Sequence, residues 1–330
     1  MSPPEKSPTA AKFHFSDALW DIWCIASVIG IWPRFIEPSL VLRSKHVLKI
    51  PKLLPALKGL KIVHFSDLHM QNNTSSRFFE KLSKKINAEH PDILVFTGDF
   101  ICYSQLAENN KNRLSSFLNS LKARYGCYAV LGNHDYAEYV SINQQGEYDL
   151  LPAEKERSLI KRGFERLFTN IKLAQKTTPR AQAIGLHKDL MTLLKTTPFK
   201  ILENKNQLLP IEDSFINICG LGEYSLGKTQ PKLAFQNYDN QFPGIILLHN
   251  PDGIPLLKDF PGEIILCGHT HGGQVNLPWM WKKFTLLENP QFKGGLRRFD
   301  QRWIYINRGI GSIIRFRWFA PPELAIFTLI

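Results

Sequence analysis

Thiols are scarce. The 330 residues hold five cysteines, Cys24, Cys102, Cys127, Cys219 and Cys267, an odd number with no Cys-x-x-Cys pair. That argues against a disulfide-stapled secreted framework and a cysteine zinc knuckle, and favours a reducing compartment. Glycine and proline, 21 each, stay at ordinary levels and no segment repeats, so fibrous and disordered classes fall away. Acidic residues are outnumbered, 29 Asp and Glu against 41 Lys and Arg, which leaves a net charge of +12. Such a balance favours anionic partners: phosphate esters, nucleic acid or an acidic membrane surface. What is present is apolar material, 44% of the chain, enough for a large core in one long domain or two shorter ones.

The most apolar N-terminal run, Ala18 to Trp32, falls short of the roughly 20 residues a bilayer-spanning helix needs, contains Asp21 and meets Pro33. A basic n-region and a small-residue cleavage site, the marks of a signal peptide, are missing. Trp20, Trp23, Trp32 and Phe35 suit the headgroup zone, and Arg34, Arg43, Lys45, Lys49 and Lys52 follow. We therefore expect residues 1–60 to form a membrane-associating segment and lead-in, lying at the interface. A helix packed on the protein's own core and a true span are the alternatives.

From Lys61 short β-rich runs appear: Ile62–Phe65, Ile93–Phe96, Tyr128–Leu131, Ile245–Leu248 and Ile264–Cys267. They are nearly continuous in apolar residues, as strands buried on both faces should be. Helical spacing in Ser76–Glu89 and around Leu114, Leu118 and Leu121 separates the first three, so a largely parallel sheet is expected. Further strands around Ile216–Cys219, Trp303–Ile306 and Leu324–Leu329 suggest a second sheet. Residues 136–200 interrupt the rhythm with two amphipathic patterns, one through Ile160, Phe164, Leu167, Phe168 and Ile171, the other through Ala183, Leu186, Leu190, Leu193 and Leu194. We read them as a helical insertion in a catalytic domain spanning 61–330, either a lid or an ordinary cover of the core.

Each strong strand runs into a loop of metal-capable side chains: Asp67 and His69, then Asp99, then Asn133, His134 and Asp135, then His249, then His269 and His271. In open α/β sheets ligands sit beyond the carboxyl ends of the strands. Asp67 and His69, like His269 and His271, stand at i and i+2, which on an extended backbone points both to one side. Oxygen and imidazole donors without thiolate suit divalent manganese, iron, zinc or magnesium. Seven donors, Asp67, His69, Asp99, Asn133, His249, His269 and His271, exceed what one ion takes and suit a pair of ions sharing a carboxylate. Two dications against two carboxylates and a bridging hydroxide leave a charge of about +1, suited to a phosphodiester monoanion. His64 and His90 read as structural, His64 pointing away from the site and His90 sitting in a turn before Pro91.

These motifs, Asp67-x-His69, Gly98-Asp99, Gly132-Asn133-His134-Asp135, His249 and Gly268-His269-x-His271, resemble those of the calcineurin-like metallophosphoesterases, complete and in order. Ile36-Glu37-Pro38, Gly268–Gln274, Arg308–Gly311 and Pro321-Pro322-Glu323 resemble its membrane-associated branch, which includes the chlamydial type of UDP-2,3-diacylglucosamine pyrophosphatase of lipid A synthesis. The resemblance implies a four-layer α-β-β-α sandwich of two mixed sheets. It implies that Asp67, His69 and His271 hold one metal, that Asp99 bridges, and that Asn133, His249 and His269 complete the second, with Mn²⁺ the expected ion. His134 would contact phosphate and assist the leaving group, with Asp135 orienting it. Water activated by the two cations would attack phosphorus in line, releasing UMP and 2,3-diacylglucosamine 1-phosphate. The implied partners are a lipid-linked nucleotide and a membrane surface, with no nucleic acid, for a monomer peripheral to the cytoplasmic face of the inner membrane. Arg157, Arg162 and Arg166 are candidate phosphate contacts. The alternatives are a phosphodiesterase of nucleic acid or cyclic nucleotides, and a non-catalytic scaffold of the same fold.

Overall fold

A computed structural model describes residues 15–72, 74–151, 171–278 and 281–330. Helix α1 (Phe15–Ala26) continues through a π-helical stretch, Ser27–Ile36, into a 3-10 turn, Glu37–Ser39. Pro33 therefore does not end the helix, contrary to the expectation from sequence. In an α-helix the proline ring collides with the carbonyl four residues back; the wider π turn moves that carbonyl aside. Leu19–Ser39 thus makes 21 residues of helix, long and apolar enough to cross a membrane by length and composition. Only 6% of its apolar window is buried, so it does not pack on the protein's own core.

The remaining elements follow in chain order: β1 (Leu42–Leu48), β2 (Lys61–Phe65), α2 (Ser76–Asn87), β3 (Ile93–Thr97), α3 (Glu108–Asn119), β4 (Gly126–Val130), β5 (Val140–Ile142) and β6 (Tyr148–Leu150). After them come α4 (Pro179–Ala183), α5 (Lys188–Leu194), β7 (Phe199–Ile201), β8 (Lys205–Ile211), β9 (Ser214–Gly220), β10 (Gly244–Leu247), β11 (Ile264–Cys267), β12 (Gly295–Phe299), β13 (Arg302–Ile306) and β14 (Glu323–Leu329). One sheet has the order β1-β14-β2-β3-β4-β7 and is parallel except between β14 and β2. The other has the order β12-β13-β11-β10-β9-β8, with a parallel centre and an antiparallel strand at each edge. Both sheets are mixed, as expected.

The five apolar runs do not form one row: β2, β3 and β4 lie in the first sheet, β10 and β11 in the second. The run Leu324–Leu329, assigned from sequence to the second sheet, is β14 and sits between β1 and β2 of the first. Apolar periodicity reports that a strand is buried, not which neighbour buries it.

The sheets face one another across a core that includes Ile62, Val95, Val130, Ile218, Leu247 and Leu266. Outside the first sheet α2 packs Phe79, Leu82 and Ile86 inward, and Phe79 stacks on Phe117 of α3 at 4.7 Å. Short helical turns cover the second sheet through Ala234, Ile254 and Leu257. That is the four-layer α-β-β-α arrangement.

The described part of the 136–200 stretch contains the β5–β6 hairpin, α4 and α5. The expected stripe breaks at Gly185: Ala183 and Leu186 are exposed, while Leu190, Leu193 and Leu194 join the core of the first sheet. Helix α5 is therefore a cover, not a lid. The other expected stripe, from Ile160 to Phe168, lies outside the described residues.

Candidate metal centre

The carboxyl ends of β2, β3, β4, β10 and β11 meet at one edge of the sandwich, each carrying its loop residues. Asp67 and His69 follow β2, Asp99 follows β3, Asn133 and His134 follow β4, His249 follows β10, and His269 and His271 follow β11. Their convergence does not arise from extended pairs, as the i, i+2 spacing suggested. Asp67 (φ 52°), His69 (43°), Asp99 (63°), His269 (70°) and His271 (51°) are all left-handed. Each such residue costs on the order of 1–3 kcal/mol and persists only where its surroundings hold it. Here they do: Asp67 N–H donates to the Gly98 carbonyl at 2.9 Å, His69 N–H to the Asp99 carbonyl at 3.0 Å, and His269 N–H to Asp67 Oδ1 at 3.1 Å. Gly98 (φ 86°) is required by contact as well as conformation, since a Cβ there would stand 2.6 Å from His249 Nδ1.

Three groups of donor atoms result among the described residues: His69 with Cys102 and His134, and two built from the strand-end motifs, Asp67 with His69 and His271, and Asp99 with His249 and His269. Asp99 Oδ2 lies 3.4 Å from His69 Nε2 and 3.2 Å from His249 Nε2, so one carboxylate oxygen faces both of the latter groups. His69 Nε2 and His271 Nε2 are 3.1 Å apart, and His269 Nδ1 is 3.2 Å from His249 Nε2. Asn133 donates its amide to the Val140 carbonyl at 3.0 Å, which leaves its Oδ1 buried and without a partner among the described residues. His249 Nδ1–H donates to the Thr97 carbonyl at 2.6 Å, which fixes the tautomer and leaves Nε2 for the site. An orphaned oxygen beside crowded imidazole nitrogens fits divalent cations and would be costly without them.

Electrostatics agree. Burial lowers the pKa of His69 and His271 well below the usual histidine value and that of His269 to about 3, so these rings are neutral and ready to ligate. Burial pushes Asp67 up to about 7, with the charge of Asp99 adding to it. Burial alone would raise Asp99, but the neighbouring His249, His134 and His69 and a hydrogen bond from His249 outweigh it and hold the carboxyl well below the usual carboxylate range.

His134 lies against His69, ring centroids 4.7 Å apart, and its Nδ1 accepts the backbone N–H of Tyr103 at 2.7 Å. The Asp135 carboxylate accepts the backbone N–H groups of Asp99 (2.7 Å), Gly132 (3.0 Å) and Ile101 (3.2 Å), so it braces the loop that carries Asp99. Burial, then Asp99, raises its pKa to about 8. Arg157, Arg162 and Arg166 lie outside the described residues.

Sequence reasoning missed Tyr103, whose contribution is a main-chain donor with no side-chain signature. It also missed Arg317, fully buried, which donates to the carbonyls of Arg308 (2.6 Å) and Ala320 (3.0 Å) and reaches His271 Nδ1 at 3.2 Å. An arginine inside the aromatic run Ile313–Phe319 was the available signal.

A cleft of about 540 Å³ opens from the donor cluster. His69, Asp99, Asn133 and His134 form its floor, Tyr139 to Ile142 one wall, and Ile313, Ile314, Phe316 and Trp318 another, with Arg34 of the N-terminal helix among its lining residues.

Residues 60–273 match the Calcineurin-like phosphoesterase family. The UDP-2,3-diacylglucosamine pyrophosphatase LpxG of Chlamydia muridarum is 41% identical over 309 residues, 90% of this chain and 91% of that protein. The protein of the same name from Chlamydia trachomatis serovar D is 40% identical over 308 residues, again 90% of this chain and 91% of the relative. An uncharacterized metallophosphoesterase of Bacillus subtilis, YkuE, is 26% identical over 300 residues, 90% of this chain and 88% of its own length.

Proposed function

This chain belongs to the calcineurin-like phosphoesterases, and we propose that it hydrolyses the pyrophosphate of UDP-2,3-diacylglucosamine to UMP and 2,3-diacylglucosamine 1-phosphate. The observation that carries this reading is identity of 41% across 90% of the chain with an enzyme of that name. Asp67, His69 and His271 would hold one divalent ion and Asn133, His249 and His269 the other, with Asp99 shared, and Mn²⁺ is the ion we assign. When bound, such a pair supplies an activated water and positive charge against the phosphoryl oxygens.

The chain's own groups do the rest. With Nδ1 of His134 occupied by the Tyr103 N–H, the ring's proton resides on Nε2. His134 then acts as a neutral donor toward a phosphoryl or departing oxygen. Asp135 holds the Asp99 loop, and His249 is kept in its ligating tautomer by Thr97. In the reaction a bond forms between water oxygen and phosphorus, the bridging P–O bond breaks, and the water's protons end on the two phosphate products and solvent.

A lipid substrate also suits the surroundings. Among the described residues lining the cleft Arg34 is the single Lys or Arg, where a nucleic-acid groove would carry a track of cations. The helix Leu19–Ser39 exposes Trp20, Trp23, Trp32 and Phe35, and we assign it to the bilayer at the cytoplasmic face of the inner membrane, on a monomeric enzyme.

Incubation with UDP-2,3-diacylglucosamine and Mn²⁺ in oxygen-18 water tests the reaction. One label in either UMP or the lipid phosphate is expected and identifies the phosphorus attacked. Unchanged lipid nucleotide, with a soluble phosphodiester hydrolysed in the same tube, overturns the substrate assignment.

A further inference from the structure

The segment from Ile313 to Trp318 carries none of the metal motifs, yet it forms much of the apolar side of the cleft. Much of its backbone is engaged elsewhere. Gln71 donates to the carbonyls of Ser312 and Ile313, both at 3.1 Å, and Gln274 to those of Ile314 and Phe316, both at 3.2 Å. Trp318 N–H donates to the Gln274 carbonyl at 2.9 Å and its own carbonyl accepts the Asn276 N–H at 2.8 Å. With the peptide groups satisfied on one side, the half-buried side chains of Ile313, Ile314, Phe316 and Trp318 line the cleft. The indole N–H of Trp318 is buried without an acceptor among the described residues, a gap that a ligand carbonyl would fill.

The same segment is fastened to the N-terminal helix. Arg317 N–H donates to the Pro33 carbonyl at 2.8 Å. The buried Glu37 carboxylate accepts Phe319 N–H (3.1 Å), Ala320 N–H (2.6 Å) and Trp32 Nε1–H (2.8 Å). Exposed Phe319, Phe35 and Ile36 continue the apolar surface around this junction. Cleft wall and apolar helix are thus joined by hydrogen bonds, and whatever the helix enters lies beside the cleft.

We infer that Ile313, Ile314, Phe316 and Trp318 are the specificity-determining wall that receives the acyl chains of the substrate, drawn sideways from the bilayer. This rests on the lipid nucleotide reading above. The cleft's size is that of pockets enclosing a medium-sized apolar ligand, and it runs uninterrupted from the donor cluster, so a phosphate held there leaves its attached acyl groups against this wall. The chains occupy the side lined by 313–318, not the leucine stripe of the insertion, whose α5 residues are consumed by the core.

Steady-state kinetics of the full chain in detergent micelles test this with two substrates, long-chain UDP-2,3-diacylglucosamine and water-soluble bis-p-nitrophenyl phosphate. Phe316→Ala and Ile314→Ser should each lower kcat/KM for the lipid about 10- to 100-fold, the value of one buried apolar side chain. Hydrolysis of the soluble diester should stay within about twofold of wild type, since the donor cluster is untouched. Ile314→Trp, which fills the wall, should move the preferred acyl length to shorter chains. Equal loss on both substrates, or an unaltered acyl-length profile with undiminished lipid turnover, overturns the inference. Wild-type protein that cleaves the diester but not the lipid overturns the proposed function itself, a separate result.

Discussion

The carboxylate of Asp135 accepts the backbone N–H of Asp99 at 2.7 Å, so the residue that faces both donor groups is positioned by its main chain while its Oδ2 stays aimed between two imidazoles. The three peptide donors on Asp135 require acceptors on both carboxylate oxygens. Asp135→Asn puts an NH₂ against one of them. We expect manganese affinity and turnover to fall about 10- to 100-fold with the fold retained, read by metal titration and circular dichroism. Asp99→Ala removes the shared oxygen and should cost about 10³-fold in rate and most of the bound metal. Full metal occupancy in Asp99→Ala would contradict its bridging place.

His134 separates chemistry from metal retention. His134→Ala should lower kcat about 10²- to 10³-fold with metal content unchanged, the loss typical of one donor to a developing oxyanion. His134→Gln carries an NH₂ near the former Nε2 and should recover part of that loss. Recovery by Asn but not Gln would mean that the other ring nitrogen faces the phosphate.

His64 is buried at the back of β2, bonded to Thr97 Oγ1 at 2.9 Å, and burial takes its pKa from 6.5 to about 3. The unfolded chain binds the proton more readily, so this residue's contribution is complete above pH 6.5 and fades as pH falls toward 3. Acidification over that window should remove a few kcal/mol of stability through His64 alone. His64→Gln should flatten the dependence of the urea midpoint on pH between 6.5 and 4; an unaltered slope would assign the acid sensitivity elsewhere.

The N-terminal helix is testable without touching the site. Wild type should sediment with phosphatidylglycerol vesicles, and Trp20→Asp with Trp23→Asp should weaken that partition at least about tenfold. Soluble-diester hydrolysis should persist in the double variant. Undiminished sedimentation would place the attachment on another surface.

The ligand residues were readable because chemistry at a strand's carboxyl end is written in adjacent letters: Phe65 ends β2 and Asp67 is two residues on. Partner choice between strands is not written that way. Leu324–Leu329 and Ile264–Cys267 look alike as apolar runs, yet one pairs with β2 and the other with β10, a distinction set by tertiary packing. The left-handed backbone at Asp67 and His269 was hidden for a related reason, since neither residue type announces a positive φ the way glycine does. Tyr103 was invisible because any residue there supplies the same N–H. Pro33 misled, because the π-helical turn that admits it is set by the backbone of Ser27–Ile36 and has no signature in the residue types.

The placement of β14 has a consequence for biogenesis. A nascent polypeptide that has emerged only as far as β13 has β1 and β2 without the strand that joins them, so the first sheet stays open. The apolar helix is translated long before that gap closes. The donor groups come from loops of both sheets, so the cluster is complete only once the two are docked.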